Sequence, residues 1–506
     1  MIPALLAAAP IALILVAMVL LKRSAAQAGM AGLALTFLLA LTAFSFQDLP
    51  TAVPQSAGFV GSFAEAGYTA LTILWIIFGA LCLHQLQVVT DAVKTLREGV
   101  GALSADPRIV AILIAWFFAI FLEGAAGFGA PIALAAPFLV GFGFRPLQAV
   151  TIVLIGHCVG VSFGAVGTPL MAQVQISGFD GLAIGSQAAF AHLVLGTVML
   201  FLTVRVVQQG ALVEERDTTG PIWPWVLLAA PAFLVPMWVI ATYVGPELPT
   251  MGGAVLGAAL FIIALRLFHR PPENLQPPPA KELLRACAPY AIVIALILLT
   301  RLVPALQSAL SAITWQWALY DETFKGSFAP LYHPGTLLLI GFFIGARIQG
   351  ASKEQILEAL KKATKMLLPV TVALFAMLAI SRLMVHTGMI AALADAAALT
   401  GQFWPLLAPA VGVLGSFVTG SATASNILFT DFQIATATRL DFAALPLVGF
   451  QSFGAAVGNI ICPHNIIAGC ATVGLVGREG EVLRKTLPAC LIYTTLGGLL
   501  ALLLLS

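Results

Sequence analysis

Long apolar runs, separated by short polar interruptions, fill the chain from end to end. A helix needs about 20 apolar residues to cross a hydrocarbon core of ~30 Å. Runs that qualify lie near 3–21, 28–46, 66–86, 108–122, 147–167, 186–205, 222–245, 251–268, 286–304, 366–386, 403–418, 442–460 and 486–505. Shorter apolar pieces near 131–143, 334–347 and 422–435 fit short spans or re-entrant segments. The pattern predicts an all-α polytopic membrane protein with about 12–16 transmembrane or re-entrant helices.

Basic residues supply the orientation, because Lys and Arg gather on the cytoplasmic side of a membrane. They cluster at Lys22/Arg23, Lys94/Arg97/Arg108, Arg205/Arg216, Arg266/Arg270/Lys281/Arg285, Arg347/Lys353/Lys361/Lys362/Lys365 and Arg478/Arg484/Lys485. The segments 47–65, 177–188 and 388–402 contain neither residue and go outside. The alternation closes with both termini outside. The first run, Ile2 to Leu21, is followed rather than preceded by basic residues, the reverse of a cleaved signal peptide, and reads as a spanning helix. Arg270 to Ala280 reads as a Pro-rich cytoplasmic connector, and 351–365 as an amphipathic helix on the cytoplasmic surface.

Composition narrows the class. The 506 residues are 60% hydrophobic and 9% charged, against roughly 25% charged in a soluble globular protein. So few charges cannot cover a water-facing surface, and the bilayer is the main solvent. The net charge of +2 adds nothing, since its distribution matters more than its sum. Cys82, Cys158, Cys287, Cys462, Cys470 and Cys490 sit in or beside apolar stretches without paired spacing and read as packed free thiols. No Walker pattern is present, so an ATP-driven pump lacks its motor. An intramembrane enzyme would need a clustered catalytic set such as HExxH, and there is none. Nothing completes a metal site around Cys462-Pro463-His464. No cofactor and no nucleic-acid partner is expected; the oligomeric state is left open.

Two parts of the chain resemble each other. Gly124 and Gly420 stand 296 residues apart, Phe78 and Phe375 297, and both Pro169/Pro463 and Arg145/Arg439 294. The implied units are two N-terminal helices over 1–59, a first copy over 60–206, connecting helices over 207–356 and a second copy over 357–506. The run at 66–86 leads into a basic segment whereas 366–386 leaves one, so the copies are expected to lie inverted. Inverted repeats with broken helices are a recurring architecture of secondary transporters, with sites near the bilayer midplane.

The candidate chemistry sits at the breaks. Glu123 ends an apolar run at membrane depth, where a charge costs on the order of 3 kcal/mol or more. Such a carboxyl suits a proton carrier; a helix-end Glu reaching the interface is the alternative. Gly124, Ala125, Gly127, Gly129 and Pro131 follow, a density of small residues and proline that breaks a helix. Freed N–H groups there can face a carboxylate, unless the glycines serve close helix packing. The mirror segment carries Thr419, Gly420, Ser421, Thr423, Ser425 and Asn426, a cluster of small and hydrogen-bonding residues suited to a small oxygen-rich anion or to interhelical bonding. A second pair of Gly/Pro breaks, 161–170 and 455–465, offers Thr168, Asn459, His464 and Asn465. His157, just upstream, can join a proton relay or be a satisfied structural histidine. Arg382 is the one basic residue inside a predicted span that could pair with a substrate carboxylate, or snorkel to the outer interface.

At these residues the chain resembles the lactate permease family, most densely in FLEGAAGFGAP, GFRPLQAVTIVLIGHCVGVSFGAVGTPL, FVTGSATASNILF and CPHNIIAGCATVGLVGRE. The resemblance spans most of the chain and implies proton-coupled import of L-lactate, glycolate or D-lactate across a bacterial inner membrane. It also implies a role for the matching Glu123 as proton carrier or substrate-site residue. Where the family usually reads TGSDTSSN, this chain has Ala422; where the family has Pro-Gln, it has Pro463-His464; and His157 is itself unusual for the family. The expected partners are a small carboxylate, protons and the lipid bilayer. The rivals are a sodium-coupled carrier of another organic anion, with ligands around Ser421 to Asn426, an intramembrane enzyme and a passive channel.

Overall fold

The computed structural model describes residues 2–21, 23–46, 54–104, 106–127, 129–209, 220–268, 277–320 and 322–505. Lys22, Arg216, Arg270 and most of the Pro-rich connector lie outside the described residues, as does Phe128. The chain begins with α1 (Ile2–Leu15), extended by a π-helical turn, and α2 (Ala25–Thr42). The long α3 (Gln55–Val89) leads into the short α4 (Ala92–Gly101). Next come α5 (Pro107–Ala111) and α6 (Ala119–Ala125), joined through a π-helical stretch, then α7 (Ala130–Gly141) and α8 (Pro146–His157). A 3-10 stretch, Cys158–Phe163, separates α8 from α9 (Gly164–Ser177), and α10 (Gly181–Gln208) follows.

The middle of the chain holds α11 (Trp223–Tyr243), α12 (Pro249–Phe268), α13 (Ala280–Leu302) and α14 (Pro304–Ser311), then a hairpin of β1 (Trp315–Leu319) and β2 (Phe324–Phe328), and α15 (Pro334–Gln349). The last part holds α16 (Lys353–His386), α17 (Met389–Ala397), α18 (Trp404–Thr419), α19 (Ala422–Leu440), α20 (Ala444–Gly458), α21 (Pro463–Thr472) and α22 (Glu479–Leu505).

Twelve of the described helical segments are long and apolar enough to cross a membrane, in agreement with the apolar pattern. Two local expectations change. The stretch 351–365 is no separate surface helix but the first turns of α16, which Ser352 and Gln355 start with reciprocal capping bonds and which runs unbroken to His386. The apolar piece near 422–435 extends to Leu440 as α19.

The described helices pack around two large hydrophobic cores, with two small clusters of four buried residues each beside them. One core joins α5–α12 with α20, α21 and α22. The other joins α1–α3, α13, α15 and α16 with α17 and α19, and α3 lies along α16 within it. Phe121 and Phe417, both partly buried, pack against both cores. Arg301 of α13 crosses between them and holds Glu247, in the turn before α12, with its Nη2 2.6 Å from Oε1.

Candidate functional site

Four interruptions of helix meet at one place. The first is the tip between α6 and α7, where Gly127 (φ +59°) and Gly129 (φ +79°) adopt left-handed backbone. Pro131 fits beyond it because an N–H at the first turn of a helix has no partner anyway. The second is the tip between α18 and α19. Gly420 turns the chain (φ +72°), and the Ser421 side chain accepts from Ala424 N at 3.3 Å to cap α19. The two arms run antiparallel. Trp404 Nε1 donates to Gln433 Oε1 (3.1 Å), and Ser425 Oγ donates to Gly412 O (2.8 Å).

The other two interruptions lie within α8–α9 and between α20 and α21. Ala165, Val166 and Gly167 all take left-handed conformations (φ 43°, 54° and 76°), which cost energy for the two residues bearing a Cβ. The Thr168 hydroxyl donates to Ala165 O at 2.5 Å and so holds the turn closed. In the partner break, Asn465 N donates to the Cys462 sulfur at 3.4 Å, and the Asn465 side-chain amide donates to Asn459 Oδ1.

The four breaks enclose a cavity of ≈ 60 Å³. Its wall is Glu123, Gly127 and Gly129 from the first tip, Val161, Gly164, Ala165 and Pro169 from the first broken helix, Gly420 to Thr423 from the second tip, and Asn459, His464 and Asn465 from the second broken helix. At about 10–15 Å³ of such space per water, it has room for roughly four to six small groups. Among the described residues no Lys or Arg lines it. The helical parts of α7, α9, α19 and α21 all begin at this wall. Each presents the positive end of its dipole, although Ser421 and Cys462 already cap one N–H each of α19 and α21. Convergent helix N-termini around a space this small favour a small anion.

Glu123 is the one carboxyl group in the wall among the described residues, and it is 6% exposed. Gly164 lies against it so closely that a Cβ there would strike Oε1. Behind it stands His157, fully buried, with Nε2 4.0 Å from Glu123 Oε2. The other ring nitrogen, Nδ1, lies 2.7 Å from Val153 O. A carbonyl only accepts, so Nδ1 carries a hydrogen, while Nε2 is left to face Glu123 and the side chain of Asn459. The pair can therefore exist as a carboxylic acid facing a neutral imidazole or as a carboxylate facing an imidazolium. One proton more or less changes which.

Glu123, Gly127, Gly129, Gly420, Ser421, Thr423, His464 and Asn465 are thus brought together from far apart in the sequence. The remaining candidates stand around the cavity. Gly124 packs on the backbone of Met251, and Ala125 is buried in the second core. The Thr419 hydroxyl is engaged by Gly415 O (2.8 Å) and Ser421 O (3.0 Å). Ser425 ties the two arms of its tip, and Asn426 Nδ2 donates to Pro169 O at 3.0 Å, joining the two halves. Arg382 stands apart. Its guanidinium pairs with Asp431 of α19, a partner 49 residues away that no local motif announces. Val161, Gly164 and Ala165 line the cavity without having been named as candidates, because bland side chains carry no chemical signal; Pro169, read only as the proline of its break, lines it too.

Comparison with known proteins follows the same lines. The L-lactate permease family model matches residues 3–506. The glycolate permease GlcA of Escherichia coli K12 is 30% identical, with 99% of this chain and 95% of that protein aligned. The L-lactate permeases of Streptococcus iniae and Bacillus subtilis are 29% and 28% identical over 87% and 96% of this chain, and 92% of each of theirs. Among solved structures, Neisseria gonorrhoeae MtrF, described as belonging to a class of antimetabolite efflux pumps, superposes with a TM-score of 0.50 at 13% identity. The superposition covers 96% of this chain and 95% of MtrF, a likeness of fold alone.

Proposed function

We infer that this chain, which belongs to the L-lactate permease family and so to transporters rather than enzymes, imports a small 2-hydroxy monocarboxylate together with protons. L-lactate, glycolate and D-lactate are the candidate substrates, and a bacterial inner membrane with both termini outside is the expected setting. The observation that carries this reading is the cavity itself. It is small, ringed by four helix N-termini, free of lysine and arginine among the described residues, and backed by the Glu123–His157 pair.

The substrate carboxylate would take the freed N–H groups of the tips, and its hydroxyl would face Thr423, His464 or Asn465. The carboxylate brings one negative charge, and moving a charge against the membrane potential costs about 2.3 kcal/mol per 100 mV. A proton on Glu123 cancels that charge in transit. Access would alternate as one hydrophobic core moves against the other around the site.

A repeat of 60–206 in 357–506, inverted in the membrane, fits this motion. It is supported by the recurring order of a long helix, a short one, a two-armed tip, a broken helix and a closing helix. The test is uptake of labelled L-lactate and glycolate into proteoliposomes under an inward proton gradient, comparing wild type with Glu123→Gln. Accumulation that Glu123→Gln abolishes supports the reading. Accumulation that survives moves the proton site elsewhere, and accumulation that requires sodium but no pH gradient replaces the coupling ion.

A further inference from the structure

Behind the cavity, three buried oxygens are left without donors. Asn426 on α19, Gln173 on α9 and Ser452 on α20 are all fully buried. Asn426 Oδ1, Gln173 Oε1 and Ser452 Oγ have no hydrogen-bond partner among the described residues. The two amides cannot be turned round to relieve this. Asn426 Nδ2 donates to Pro169 O (3.0 Å) and Gln173 Nε2 to Val448 O (3.0 Å). A backbone carbonyl accepts only, so each amide nitrogen is fixed where it is and each amide oxygen is fixed as an acceptor.

Hydrogen bonds tie the helices that carry the three side chains together at this level. Gln173 Nε2 also reaches Thr430 Oγ1 at 3.3 Å, one turn along α19 from Asn426, and Thr430 Oγ1 in turn donates to Asn426 O at 2.6 Å. Val448, which holds the same Gln173 amide, is one turn along α20 from Ser452. This level adjoins the cavity, since Pro169, the partner of Asn426, is part of its wall.

A buried acceptor without a donor costs about 1–3 kcal/mol, and native structures keep few of them. Three on adjoining turns of three helices call for an electron-poor guest. We propose that a small monovalent cation of sodium size binds between α9, α19 and α20, held by the Asn426, Gln173 and Ser452 side-chain oxygens. Neutral oxygen ligands suit such an ion. A divalent ion would demand carboxylates, and no cluster of acids, histidines or cysteines able to hold a metal occurs among the described residues. Its place beside the anion cavity lets each charge favour the other in a medium of low dielectric constant.

The test is equilibrium binding of ²²Na⁺ to the purified full-length protein in detergent, without carboxylate or proton gradient, at constant ionic strength against choline chloride. Saturable binding is expected. Ser452→Ala and Gln173→Leu should each weaken it by about tenfold or more, the loss of one oxygen contact to a charged guest. No saturable binding to wild type overturns the proposal, since the oxygens would then be met by water. Equal affinity in wild type and both variants places any sodium elsewhere and overturns it as well. Because the readout involves neither substrate nor protons, its failure leaves the proton-coupled reading standing, and a failed uptake experiment leaves this one standing.

Discussion

Gly164 is a glycine because the Glu123 carboxyl group occupies the space a side chain would need. Gly164→Ala should push Glu123 off its position. We expect it to cost about 1–3 kcal/mol as an overpacked site and to depress carboxylate uptake, with detergent-solubilised yield and thermal unfolding separating misfolding from loss of function. His157 makes a second prediction at this scale. His157→Gln should reduce uptake driven by a proton gradient by at least about tenfold. It should spare substrate exchange between compartments at equal pH, measured by counterflow of labelled lactate. Of the residues involved, Glu123 was legible because an acidic side chain at membrane depth is costly. Gly164 was not, since its importance lies in what it lacks. Arg382 is legible as costly, but its reason, Asp431, comes from a helix that only the folded chain brings near.

Elements are readable where their ends carry chemistry. Gly127, Gly129, Gly420, Pro131 and Pro463 mark the breaks in the sequence as they do in the structure, because left-handed backbone and a missing N–H are properties of single residues. The β1–β2 hairpin and α14 left no trace in a pattern dominated by apolar runs. Nor did the merging of the amphipathic stretch at 351–365 into α16, since a change of polarity along a helix does not end it. Packing between elements makes its own prediction. The Arg382–Asp431 pair fastens α16 to α19, with side chains 15% and 17% exposed. Asp431→Ala leaves a mostly buried cation unpaired and should cost on the order of 3 kcal/mol, whereas Arg382→Met with Asp431→Leu should recover most of it. Reversible unfolding in mixed micelles distinguishes the two outcomes.

Across the whole molecule the two cores meet at aromatic residues near the tips. Phe121 packs edge-on against Tyr290 of the other core, ring centroids 4.8 Å apart, and Phe417 stands at the matching place on the second tip. If the cores must slide for transport, joining them here should stop it. Cysteines at 121 and 290, in a background without the six native ones, should allow uptake until they are bridged by a short bismaleimide. Uptake should then fall to background without any change in the amount of folded protein. Unchanged uptake after complete bridging would rule out movement at this seam. The division into two cores was not legible in the sequence, because burial depends on partners the sequence does not name.

Among the described residues the positive field around the cavity comes from peptide groups rather than from lysine or arginine side chains. Alanine scanning cannot delete a peptide dipole, so on the proposed reading a survey of point mutants should find few residues essential for affinity. The same fact bears on how relatives diverge. If, as proposed, chain geometry grips the carboxylate, exchanges at Thr423, His464 or Asn465 should retune which acid is carried while leaving the ability to carry an acid intact.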